Sequence, residues 1–458
     1  MKRFICILLM LAMSAGAAGC DAGSRSPLEH GPDEQASSSA EAGSAKPPVT
    51  ITWDREVNDM SPSMEEPGTA VAESARPDTE QGAAPGFDEQ ATDAEPGEAA
   101  DTETPSIDGA QSGDGISGET PDDAGQTGAS DPGASTDSGA PPVGQAPAFG
   151  LIDAHADTIT RALLHNQGMY SNDLHIDFKR LLEYGTPVQV FALWCADKYV
   201  PNAFDYTNSL IDFFESEVAK YSDIIEIALS PEDMARNARN GKISAVLAIE
   251  GGEALMGCLE NLDHFYGRGV RIMTLTWNRE NELGYGQATG SNNGLKPFGA
   301  QCVQRMEELG MIMDLSHINE AGFWDAHNLS TRPYMASHSN SYALTPHKRN
   351  LTDAQIKAVV DTGGIVGLAL YPQFLSPSGS ASISDILANI SHFISLGAGA
   401  NIGFGSDFDG FDTMPKGVTD VSSFKYLEEK ITEAFGDTVA RSIMSWNFYE
   451  FFVRYFLH

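Results

Sequence analysis

The chain has 458 residues and a formal net charge of −36, and acidity of that order excludes the phosphate backbone of nucleic acids as a partner. The charge is uneven: residues 21–148 carry 27 Asp and Glu against 4 Lys and Arg and hold very few large apolar side chains, whereas 149–458 carry 37 against 22. The first stretch cannot bury enough apolar surface to offset its ordering entropy and reads as a disordered acidic linker; the second is long enough for one large core.

At the amino terminus, Met1-Lys-Arg gives a positive start, Phe4–Met13 an apolar run, and Ala17-Ala-Gly-Cys20 a stretch of small residues. The run is too short to span a bilayer as a mature helix, so residues 1–20 read as an export signal. Its end resembles a bacterial lipoprotein signal, in which the Cys becomes the lipid-bearing first residue of the mature chain. Cys20 would then anchor the protein to the extracytoplasmic face of the membrane through a spacer of about 130 flexible residues. A plain secretory signal cut nearby is the alternative. Within the linker, Val49–Trp53 is the one strand-like island, read as a solvated fragment. Past the leader only Cys195, Cys258 and Cys302 remain. They contain no Cys-x-x-Cys zinc pair and allow at most one disulfide, whose pairing stays open.

From Phe149 onward, short apolar runs alternate with amphipathic ones. Strand-like runs begin near Leu151, Val188, Ser244, Ile272, Met311, Tyr334, Gly364 and Ile402. Helical patterning fills Asp205–Ala219, Pro297–Leu309, Thr352–Val360 and Ser382–Ser395, and Ser230-Pro231 and Thr352 suit helix starts. Eight such alternations predict an α/β fold, a parallel (β/α)8 barrel of the TIM type over 149–458. The runs Ala245–Ile249 and Ile365–Leu370 suit strands buried on both faces.

Polar groups then fall at the carboxyl ends of these strands. His155 and Asp157 end the first (Leu-Ile-Asp-Ala-His-Ala-Asp), and alternate residues of a strand share a face. Glu250 ends the third, His317 follows the fifth, His338 ends the sixth and Asp407 ends the eighth. In a parallel barrel those ends form one face, where active sites sit. Three imidazoles and three carboxylates converging there suit divalent metal of the zinc type. The remaining histidines, His165, His175, His264, His327, His347 and His392, lack such a setting and read as structural or surface residues.

Ile-Asp-Ala-His-Ala-Asp, Ile-Glu-Gly-Gly, Met-Asp-Leu-Ser-His, Ser-His-Ser and Gly-Ser-Asp-Phe-Asp-Gly together resemble the membrane (renal-type) dipeptidases, metallopeptidases of the amidohydrolase-like barrels. The resemblance covers essentially all of 149–458. It implies two zinc ions, one held by His155 and Asp157 and the other by His317 and His338, with Glu250 bridging both. The ligand set also suits manganese or iron. A water shared by two dications is a hydroxide near neutral pH and would attack the peptide carbonyl. Asp407 matches the family's proton acceptor, and Arg349 the residue that pairs with the dipeptide's terminal carboxylate. Tyr371 is a further candidate for substrate contact. A homodimer is an assembly the resemblance allows.

One segment departs from the pattern. After the fourth strand the better-known members carry Leu-Thr-His, whose imidazole is assigned to the oxyanion, whereas this chain reads Leu275-Thr-Trp277-Asn278-Arg279. An indole donates one N–H but carries no proton charge. A bacterial branch of the family resembles this Leu-Thr-Trp-Asn pattern, and Arg279 or Asn278 is a candidate for the replacement donor. The leading expectation is a lipid-anchored zinc dipeptidase. The alternatives are another metal-dependent amidohydrolase or lactonase, and a non-catalytic metal-bearing binding lipoprotein.

Overall fold

The computed structural model describes residues 149–456. The export signal, Cys20, the acidic linker and the Val49–Trp53 island lie outside the described residues. Nine strands run through the domain: β1 (Ile152–Asp153), β2 (Val188–Trp194), β3 (Ile225–Ile227), β4 (Ile243–Glu250), β5 (Val270–Thr274), β6 (Ile312–Asp314), β7 (Met335–Ala336), β8 (Ile365–Leu368) and β9 (Ile402–Phe404). Eight of them close a parallel barrel. β1 pairs with β2, β2 with β4, the order continues through β9, and β9 returns to β1 at Asp153↔Phe404.

A ninth strand, β3, joins the eight expected ones. β3 is only Ile-Glu-Ile, below the length at which a period-two pattern separates a strand from a turn. It pairs with Ile243–Ala245 of β4, while Leu247–Glu250 of β4 pair with β5. One edge of β4 therefore serves two neighbours, and β3 is an addition to the wall and not part of its closure.

β4 is buried at all eight positions. Ala245, Leu247 and Ile249 belong to the main core, which joins strands to helices; Val246 and Ala248 belong to a second cluster with Phe448, Phe451, Phe452 and Tyr455. Both faces are thus covered, as its continuous apolar run predicts. With a side-chain period of two, Glu250 continues the face of Val246 and Ala248. The aromatic partners come from the carboxyl-terminal helix, Asn447–Phe456. Tyr455 Oη donates to Met311 O at 2.7 Å, and Asn447 Nδ2 donates to Ile402 O at 2.7 Å. Those acceptors lie at the amino ends of β6 and β9, so this helix covers the end of the barrel opposite the strand termini that carry the site.

Helix starts follow their caps. Ser230 Oγ accepts from Asp233 N ahead of Pro231–Arg239, and Thr352 and Ser382 each form a reciprocal capping box, with Gln355 and Asp385. Pro297–Leu309 forms as predicted, and the helix read at Asp205–Ala219 spans Ala203–Lys220. Glycine is required where β7, β8 and β9 approach below the site: a Cβ on Gly405 would lie 1.7 Å from Ser337 O, and one on Gly367 1.9 Å from the same atom. Among the described residues no helix is long and apolar enough to cross a membrane.

Candidate metal centre

Glu250 is the last residue of β4, while the other groups sit just beyond their strands, on the turns leaving β1, β6, β7 and β9. Two of these turns carry left-handed backbone, at His317 (φ 67°) and Asp407 (φ 62°). Such a conformation persists for a non-glycine residue only when its surroundings hold it. Gln287 N donates to His317 O at 2.7 Å, and Asp407 N donates to His155 O at 3.1 Å.

The six side chains converge. His155 Nε2 lies 3.6 Å from Glu250 Oε2 and 3.7 Å from Asp157 Oδ2. His317 Nε2 lies 2.9 Å from Glu250 Oε1 and 2.8 Å from His338 Nε2. His338 Nε2 is 3.7 Å from the same Glu250 Oε1. Ligand-type atoms come within 4.8 Å of one another in three groups: His155 with Asp157 and Glu250, Glu250 with His317 and His338, and His155 with His338 and Asp407. Glu250 is shared by the first two, and it turns a different oxygen toward each.

The electrostatics of these groups call for a cation. Burial pushes the Glu250 carboxyl well up, and Asp157 beside it pushes the same way. Burial likewise raises Asp407, with His155 opposing. Burial holds His317 and His338 well below the usual imidazole range, so both rings are neutral; Arg349 and His155 reinforce this. Burial disfavours charge on His155 too, but Glu250 and Asp157 outweigh it and hold this ring well above its usual value. His155 Nε2 and Asp157 Oδ1 are buried with no hydrogen-bond partner. Buried polar atoms are ordinarily satisfied, and carboxylates are costly to ionise together without a counter-charge. The neutral rings of His317 and His338, together with the carboxylates, fit a divalent metal of the zinc class.

Behind these residues lies a shell that motif reading passed over. Ser337 Oγ donates to Asp314 Oδ2 at 2.6 Å and lies 2.7 Å from His338 Nδ1. With its proton spent on Asp314, the hydroxyl accepts from the ring N–H, which leaves the Nε2 lone pair toward Glu250. Asp314 also accepts from Thr274 Oγ1 at 2.6 Å and from the backbone N–H groups of Ser316 and Ser337 at 3.0 and 2.8 Å. On the opposite side Asp153, pushed up to about 6 by burial, accepts from Ser406 N and Ser406 Oγ, both at 2.7 Å, tying the Asp407 turn to β1. Asp314 and Ser337 stand inside the quoted motifs, as polar residues at the end of an apolar run, three residues before His317 and one before His338.

Arg349 is 6 % exposed, donates from Nη2 to His338 O at 3.2 Å, and stacks its cation 5.2 Å over Phe374. Its Nε has no partner, and burial brings its pKa down to about 10 against the pull of Asp407 and Glu250. Tyr371 is half-buried, with its ring 4.8 Å from Phe374 and 5.1 Å from Phe411. Burial raises its hydroxyl, with Asp407 as the negative neighbour.

Trp277 is half-buried, its ring 6.2 Å from His317 and 5.1 Å from Trp194. Neither residue considered as its replacement donor takes that place. Arg279 has a side chain 67 % exposed and pairs with Asp197. Asn278 turns Oδ1 to His317 Nδ1 at 2.9 Å. Of the other histidines, His175 accepts from Asp409 N, His264 meets Asn208 and His392 meets Asp353, while His165 is exposed. Cys195 and Cys302 are buried free thiols, each pushed up to about 12 by burial, so no bond joins them.

A family model described as membrane dipeptidase (Peptidase family M19) matches residues 146–452. An uncharacterised dipeptidase of Schizosaccharomyces pombe is 32% identical over 309 residues, covering 62% of this chain and 74% of that protein. Dipeptidase aclJ of Aspergillus oryzae is 31% identical over 305 residues, covering 62% and 72%. The solved structure of dipeptidase AC, a metallopeptidase, superposes with a TM-score of 0.63 at 25% identity, covering 67% of this chain and 98% of that one. A metallopeptidase from Rhodobacter sphaeroides, liganded with a phosphinate mimic of L-Ala-D-Ala, shares the fold, with a TM-score of 0.62 at 24% identity over 66% and 98%.

Proposed function

The chain belongs to the membrane dipeptidase family of metallopeptidases, and from that premise we propose that it hydrolyses dipeptides at a two-zinc centre on the outer face of the cell membrane. His155 and Asp157 would hold one ion and His317 and His338 the other, with the Glu250 carboxylate shared between them. The observation that carries this reading is the division of Glu250's oxygens, Oε2 toward His155 and Oε1 toward His317 and His338. When bound, such ions lower the pKa of water to near neutrality and polarise the scissile carbonyl.

The protein's own groups supply the rest. Asp407, whose carboxyl burial raises toward the range of a proton carrier, takes the proton of the attacking water and passes it to the leaving amine. Arg349 is buried, held by one bond to His338 O and left with a free Nε, and pairs with the terminal carboxylate of the substrate. Tyr371, Phe374 and Phe411 form an aromatic wall beside that guanidinium for the carboxyl-terminal side chain. The phosphinate mimic of L-Ala-D-Ala bound by the Rhodobacter sphaeroides enzyme supports testing L,D as well as L,L dipeptides. Export and anchoring at Cys20 rest on the Met1–Cys20 signal pattern.

Free dipeptides compared with the same dipeptides amidated at the carboxyl end test the reading. Losing a charge-assisted pair with Arg349 lowers kcat/KM for the amides about 10- to 100-fold. Equal turnover of both would remove Arg349 from its role. Turnover of other small amides or lactones, with none of any dipeptide, would overturn the substrate class.

A further inference from the structure

The segment that departs from the family pattern does its work one residue later than the departure itself. We propose that Asn278 is a positioning residue for the metal centre, fixing the tautomer and direction of His317 so that its Nε2 lone pair faces Glu250. This rests on the metal-centre reading above.

The amide oxygen of Asn278 is an acceptor only, and it lies 2.9 Å from His317 Nδ1. A neutral imidazole has one N–H; the bond places it on Nδ1 and leaves Nε2 unprotonated, 2.9 Å from Glu250 Oε1. His317 needs such a holder more than its neighbours do. It lies beyond the end of β6, at φ 67°, where strand geometry no longer sets its direction. His338 is oriented by the adjoining Ser337, whereas Ser316, which adjoins His317 in the same way, accepts from His338 N at 3.1 Å and leaves the His317 ring to Asn278.

The loop after β5 supplies that holder as a bracket. Asn278 O accepts from Ala288 N at 3.2 Å, and from the far side of the loop Gln287 N donates to His317 O at 2.7 Å. Gly286 makes the fold-back: a Cβ there would sit 2.0 Å from Trp277 O. One loop thus grips both the backbone and the ring of His317, while the Trp277 ring stands 6.2 Å away. Partners of this kind raise metal affinity about 10- to 100-fold.

The test is a cobalt(II) titration of the metal-free full chain, read by visible absorption, with Asn278→Leu and Asn278→Asp beside the parent. Asn278→Leu is expected to weaken one of two binding steps about 10- to 100-fold and to leave the other unchanged. Asn278→Asp keeps the acceptor and is expected to restore the weakened step. Melting of the metal-free proteins checks the fold, and Asn278→Ser, too short to reach the ring, replaces the leucine variant if that one does not fold. Identical titrations of parent and Leu (or Ser) variant would overturn the proposal, as would an Asp variant no better than Leu, since packing and not the acceptor would then matter. A parent that binds no cobalt would overturn the metal-centre reading as well.

Discussion

Glu250 and Asp407 are carboxylates in one cluster, and their neighbours give them different work. Glu250 lies between two sets of imidazoles; Asp407 sits at the edge, in left-handed backbone and under the influence of Arg349. Asp407→Asn should keep the metal content and lower kcat about 10²- to 10⁴-fold; metal analysis beside steady-state kinetics checks it, and loss of an ion would make Asp407 a ligand through its group with His155 and His338. Glu253, beside the Gly251 turn, is pushed by burial from 4.5 up to about 7. A carboxyl raised in the fold holds its proton better there than in the unfolded chain. Its stabilising share is therefore complete below about 4.5 and is lost as pH rises through about 7. Melting curves of Glu253→Gln and parent, both metal-free, should diverge in the variant's favour between about pH 5 and about pH 8; a constant difference would contradict this. The six strand-end residues were legible because histidines and carboxylates recur at or just past the carboxyl ends of five apolar runs. The Asn278–His317 bond was not, since its partners are 39 residues apart and meet only through the loop after β5.

At the scale of elements, legibility followed length and capping. Pro297–Leu309 and the Thr352 and Ser382 starts were readable because proline at the first turn and reciprocal side-chain caps are local signals. β1 and β7 are two residues each and were readable through the apolar runs at Leu151 and Tyr334 and the polar groups that follow them. β3 has no such group and was invisible, being three residues that exist by pairing with β4. The caps also carry measurable stability. Thr352→Ala removes the acceptor for Gln355 N and should cost about 1 kcal/mol. Chemical denaturation should show a lower midpoint with an unchanged slope; an unchanged midpoint would mean that tertiary packing alone sets this helix start.

For the whole molecule, the excess acidic charge and the candidate site fall in different stretches of the chain. The stretch 21–148 carries 27 of the 64 acidic residues and 4 of the 28 basic ones, while every group of the candidate site lies between His155 and Asp407. If Cys20 is the anchor, Cys20→Ser should move the protein from the membrane to the soluble fraction with kcat/KM unchanged; a variant that stays membrane-bound would contradict the anchor. The central claim, that this barrel is a working two-metal dipeptidase despite Trp277, is tested most directly on residues 149–458. Its metal content and its turnover of L,L and L,D dipeptides would be measured together, with chelation and Asp407→Asn as controls. The account predicts two zinc ions per chain and a turnover that chelation abolishes and Asp407→Asn lowers about 10²- to 10⁴-fold, and two bound ions without turnover of any dipeptide would contradict it.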